Sequence, residues 1–101
     1  MKRRAIAKVL VDSSGYLFVC PETEAGATYE YIYREANGLR WDRSLRALHA
    51  YEPDRWEHVE LLQHMAATLA GACDEELHFT EKTVWLGVPT ELQDKLRSAL
   101  E

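Results

Sequence analysis

The sequence predicts a single α+β domain over residues 1–101: a mainly antiparallel sheet of about six to seven strands, with one long helix and a short C-terminal helix packed on one face. Three observations carry this. Short runs of apolar and polar alternation are separated by turn residues, Ser13-Ser14-Gly15, Asn37-Gly38 and Asp42-Arg43-Ser44, which is the pattern of hairpins. Val59, Leu62, Ala66, Leu69 and Cys73 recur at alternating spacings of three and four, which is the pattern of an amphipathic helix. No repeat, low-complexity tract or interdomain linker interrupts the chain.

Taken in order, Ala5–Asp12 and Tyr16–Cys20 read as a hairpin in which Gly15 takes the left-handed position. Opposing Asp12 and Tyr16 puts Ala7, Val9, Val11, Leu17 and Val19 on one face and Leu10 and Phe18 on the other. A strand pair with apolar residues on both faces belongs near the centre of a sheet. Pro21 ends the second strand, because it cannot donate to a ladder. Residues 21–27 read as a polar loop.

The strongest short signal is Asn37-Gly38, because a type I′ turn needs positive φ at both central positions. The run before it alternates strictly, with Tyr29, Tyr31 and Tyr33 on one face and Thr28, Glu30, Ile32 and Arg34 on the other. Folding it about that turn would set Arg34 opposite Trp41 and Glu35 opposite Arg40. One face would carry Ile32, Arg34, Ala36, Leu39 and Trp41; the other would carry the tyrosines with Glu35, Arg40 and Asp42. Leu45–Tyr51 follows as a strand stopped by Pro53. Asp54 and Glu57 form a capping-box-like start to the long helix, which runs to about Ala72 with Gly71 at its end. Leu61 and Met65 widen its apolar stripe. Glu76–Thr80 and Thr83–Val88 read as a hairpin turned at Glu81-Lys82, with Gly87 relieving crowding. After Pro89, Thr90 and Gln93 form a second capping box for the last helix, whose stripe is Leu92, Leu96, Ala99 and Leu100.

Composition bounds the function. An apolar fraction of 47% and a charged fraction of 29% are those of an ordinary globular domain. The net charge of −5 argues against nucleic acid as a partner, since phosphate binding needs cations. Charge is uneven: residues 1–51 hold eight Lys/Arg against six Asp/Glu, +2, and residues 52–101 hold four against eleven, −7. Two cysteines make no disulfide framework. No apolar run reaches membrane-spanning length. Lys8 and Asp12 spoil the signal-peptide likeness of MKRRAIAKVLV, and Val19 is too large for a lipoprotein cleavage site. The expectation is a cytoplasmic, reduced protein.

No catalytic residue, metal ligand set or cofactor motif stands out; there is no P-loop, dinucleotide fingerprint, GxSxG elbow or HExxH. His58 and His64 are turned apart on a helix, and Glu60 with His64 makes only two ligands. Cys20 at a strand end has no recognisable base, and Cys73 falls on the helix stripe and reads as core. Arg34, Arg40, Arg43 and Arg46 gather near the central run with Tyr31, Tyr33 and Trp41. Arginines beside rings on a sheet suit single strands or anionic ligands. The plainer reading is Arg34 stacked on Trp41 and Arg40 paired with Glu35. The tyrosine row has two readings: an interface, since tyrosines bury much area at low entropy cost, or filling beneath the helix.

The run from Tyr31 to Asp42, YIYREANGLRWD, with Glu30 before it, resembles a segment of small uncharacterised bacterial proteins of the integron gene-cassette type. The following strand, the break at Pro53, the helix bearing Trp56 and the terminal hairpin and helix resemble them in order. The resemblance implies a compact α+β accessory protein, often self-associating, with no settled activity; it carries over no catalytic residue. Two functions follow as expectations. The first is a non-catalytic protein-binding module acting as a homodimer, or an immunity-like protein masking a basic partner, with Tyr29, Tyr31, Tyr33, Arg40 and Trp41 as candidate contact residues. The second is a small-molecule binder or small enzyme with an aromatic-lined pocket between helix and sheet. A flat exposed aromatic patch distinguishes the first from the second, which needs converging polar groups.

Overall fold

The structure, a computed structural model, describes residues 1–23, 29–35 and 38–101, and at 33–35 the backbone alone. The first hairpin forms as its turn residues dictate. Strands β1 (Lys2–Val11) and β2 (Leu17–Pro21) pair antiparallel with Val11 opposite Leu17. Asp12 closes the turn: its Oδ1 accepts from the Ser14 and Tyr16 amides at 3.0 and 2.9 Å, and its own amide donates to the Tyr16 carbonyl. Gly15 takes φ +84°, a conformation that costs a residue without Cβ nothing. The register shifts between Ile6 and Lys8. This bulge turns Ile6, fully buried, onto the same face as Val9.

The run after β2 departs from expectation. Glu30–Glu35 is a 3-10 helix, not a strand. Its geometry explains why: Ile32 N–H donates to the Tyr29 carbonyl at 3.0 Å, and a three-residue period brings Tyr29 and Ile32, both buried, onto one side. The hairpin expected across Asn37-Gly38 is therefore absent as a strand pair. Asn37 lies outside the described residues, while Gly38 has φ +79°. Strand β3 (Leu39–Asp42) pairs instead with β4 (Ala47–Ala50), setting Leu39 opposite Ala50 and Trp41 opposite Leu48. The turn between them is as read: Asp42 Oδ1 accepts from the Leu45 amide at 2.8 Å.

Helix α1 (His58–Cys73) begins later than the expected capping box allows. Pro53–Arg55 forms a short 3-10 turn, Glu57 is the N-cap without a side-chain bond, and the Asp54 carboxylate accepts from the Tyr16 hydroxyl at 3.1 Å. The helix continues through Gly71 to Cys73 and is capped by Asp74 in the left-handed region, φ 54°. Its buried stripe is Leu61, Leu62, Met65 and Leu69, rotated so that Val59 and Ala66 are only partly covered and Cys73 is exposed, against the expectation of a core cysteine.

Strands β5 (Glu75–His78) and β6 (Val84–Leu86) do not pair with each other. Both run parallel to β1, β5 against residues 2–5 and β6 against residues 8–10. They are one strand interrupted by a five-residue detour. Thr83 fills the gap in the ladder: its hydroxyl donates to the Ile6 carbonyl at 2.7 Å and accepts from the Thr80 amide at 3.1 Å. Gly87 follows at φ +68°, where a Cβ would collide with the Val11 carbonyl oxygen. Helix α2 (Thr90–Ala99) starts after Pro89 as its N-cap, and the Gln93 side chain reaches back to the Val88 carbonyl at 2.9 Å instead of closing a box with Thr90.

The result is α+β with a six-stranded mixed sheet, not a mainly antiparallel one: β3-β4-β2-β1-β5, with β6 also on β1. Ile6, Val9, Val19 and Leu48 from the sheet join Leu61, Leu62, Met65 and Leu69 from α1 and Leu96 from α2 in one buried cluster. Both helices therefore cover the same face. Among the described residues, no helix is long and apolar enough to cross a membrane.

Candidate functional site: the helix-free face of the sheet

Strand registers identify what the helices leave uncovered. Leu10 lies opposite Leu86 on one side and Phe18 on the other. Val19 opposite Leu48 sets Phe18 beside His49, and their rings are 5.2 Å apart. His49 lies opposite Arg40. One row thus crosses five strands, Leu86, Leu10, Phe18, His49, Arg40, about 19 Å at ordinary strand spacing. None of the five belongs to the buried cluster. In the neighbouring row, Val84 is exposed and Lys8 half-buried, while the turn after β3 folds over Cys20, whose Sγ donates to the Leu45 carbonyl at 3.5 Å. Arg40 stacks its guanidinium over the Tyr51 ring at 4.3 Å. Tyr51, Val84 and Leu86 are 62%, 49% and 44% exposed. The patch is flat, mostly apolar and aromatic, with Lys8, Arg40 and Asp42 as its charges.

The candidate contact residues are dispersed by the 3-10 helix, so no tyrosine row exists as a sheet face. Tyr29 is 8% exposed and buried among core residues; its hydroxyl donates to Glu75 Oε1 at 2.6 Å and its ring lies 5.4 Å from Trp41. Burial, then the bond to Glu75, pushes its phenol well up. Trp41 packs partly buried against the same core. Tyr31 is 62% exposed, on the 3-10 turn that packs against β3. The Tyr33 side chain lies outside the described residues, as do those of Arg34 and Glu35 and with them the expected Arg34–Trp41 and Arg40–Glu35 contacts. Of the four whose side chains are described, only Arg40 stands on the open face. Phe18, His49 and Tyr51 were the residues to find there: the alternation that set Leu10 and Phe18 apart from Val9 and Val19 already pointed to Phe18, whereas His49 and Tyr51 follow from the pairing of β4 with β2 and β3 and from the Arg40 contact.

The remaining chemistry-bearing groups are held in local contacts. Arg43 grips Glu30 at 2.5 and 3.1 Å, and Arg46 donates twice to Thr23 Oγ1. Burial pushes the Cys20 thiol up, away from a reactive thiolate. His58 Nε2 lies 2.7 Å from the Gly15 carbonyl, and His64 stacks on Trp56 at 4.7 Å. Among the described residues no three His, Cys, Asp or Glu side chains converge as metal ligands.

No protein-family model matches the chain. No curated protein matches it. Among solved structures it is similar to an integron cassette protein, Hfx_Cass5, from the mobile metagenome of the North West Arm sewage outfall, with 33% sequence identity over 99% of this chain and 97% of that one and a TM-score of 0.47. The fold described above rests on this chain's own pairing and not on that superposition. Identity at this level along nearly the whole of both sequences bears out the resemblance seen in the YIYREANGLRWD segment, and the chain belongs to the family of this integron cassette protein.

Proposed function

We propose that the protein is a non-catalytic protein-binding module that acts as a homodimer through the helix-free face of its sheet. The single observation that supports this is the row Leu86, Leu10, Phe18, His49 and Arg40 with Tyr51 beside it, an apolar and aromatic sheet surface of half-buried and exposed side chains over which neither α1 nor α2 packs. Contiguous exposed apolar surface of this kind marks contact sites with other proteins. Aromatic residues and arginine are the types enriched where proteins meet. The face offers cations and an anion together, Lys8 and Arg40 with Asp42, so a copy turned about a two-fold axis can oppose unlike charges, and closed two-fold pairs are the commonest oligomers.

Sedimentation velocity at tens of micromolar tests this. The wild type is expected to run as a dimer, and a Tyr51→Glu, Leu86→Glu variant, altered only at exposed positions, as a folded monomer. A monomeric wild type overturns the reading.

A further inference from the structure

We propose that the groove between the end of β5 and the last turn of α2 binds a small organic anion, a carboxylate carried on an apolar ring. The groove holds about 460 Å³, within the range of small-molecule sites. It lies at the opposite end of the sheet from β3 and is independent of the proposed dimer face.

Arg97 is its anchor. The guanidinium lies over the Trp85 ring, 5.4 Å from the centroid, and Trp85 in turn stacks on Phe79 at 5.1 Å with 26° between planes. A guanidinium placed over an indole face gives up little of its hydrogen-bonding edge, which stays free for a bidentate carboxylate. Among the described residues Arg97 makes no ion pair, whereas Arg3, which lines the same groove, is shared with Glu76 at 3.7 Å. Phe79 and Leu100 supply the apolar wall. His78, also lining it, leaves its Nδ1 buried without a hydrogen-bond partner, the kind of unsatisfied group that signals a missing neighbour. Glu81 and Glu101 line the groove too and bring the formal charges of Arg3 and Arg97 to zero. That balance leaves the Arg97 guanidinium as the local attraction for a single carboxylate and disfavours polyanions.

The test is a benzoate titration of ¹⁵N-labelled full-length protein, followed at the Trp85 indole and Arg97 Nε–H signals, with inorganic phosphate as a second probe. Benzoate should shift both signals saturably and phosphate should not. R97Q should weaken benzoate about tenfold or more, the worth of a charge-assisted hydrogen bond, and K95Q, two residues back in α2 and outside the groove lining, should bind as wild type does. If R97Q fails to fold, R97K serves, because an ammonium cannot form the planar pair and should weaken binding several-fold. No saturable shift with benzoate, equal response to phosphate, or arginine variants that bind like wild type would each overturn the proposal.

Discussion

Glu75 shows how one residue can decide local stability. It is buried, yet charged, and it is held by Arg4, whose Nε and Nη2 donate to Oε2 at 3.2 and 2.5 Å, and by the Tyr29 hydroxyl on Oε1. Burial alone would raise its carboxyl; the bonds from Arg4 and Tyr29 outweigh that and hold it below the usual range. A depressed carboxyl stabilises the fold above the unfolded value of about 4.3 and ceases to do so as pH falls through the folded value. Tyr29 has the opposite sign: its raised phenol leaves stability intact below about 10, and stability is lost as pH rises beyond that. Tyr29→Phe should therefore cost about 1.5–3 kcal/mol at neutral pH, the worth of a hydrogen bond to a charged group. It should also flatten the loss of stability between about pH 10 and 11. Urea unfolding of both proteins at neutral and alkaline pH checks this; identical alkaline slopes would remove Tyr29 from the network.

At the level of elements, sequence legibility followed the range of the interactions. The first hairpin was readable because Asp12, Gly15 and the Val9–Leu17–Val19 alternation act within a dozen residues. So was the turn at Asp42. The run from Tyr29 was misread because alternate tyrosines imitate a strand; the three-residue spacing of Tyr29 and Ile32 was the signal for a 3-10 turn, but it is too short to outweigh the alternation. The β5–β6 segment was misread for a different reason. Glu81-Lys82 does turn the chain locally, but β1 supplies the pairing for both halves from more than seventy residues away. A trace of that pairing is visible in hindsight, since Lys2 and Arg3 lie opposite Glu75 and Glu76. Thr83→Val should cost about 1–3 kcal/mol, because it leaves the buried Ile6 carbonyl and Thr80 amide without their shared hydroxyl. A thermal melt indistinguishable from wild type would show that the ladder gap needs no such filling.

For the molecule as a whole, the inventory of two helices against a broad sheet already required that one face stay open, because helices about 10 Å across cannot cover both sides. Which face it is could not be read, since that depended on the central hairpin being real. With β3 paired to β4, Leu39 and Trp41 turn to the core, and Phe18, His49, Arg40 and Tyr51 to the outside. The most direct measurement is cross-saturation between deuterated, ¹⁵N-labelled protein and unlabelled protein mixed at equal concentration. Attenuated amides should cluster at Leu10, Phe18, His49, Val84 and Leu86 and spare α1 and α2. Attenuation centred on the helices, or none at all, would contradict the assignment of the sheet face as the surface through which the protein works.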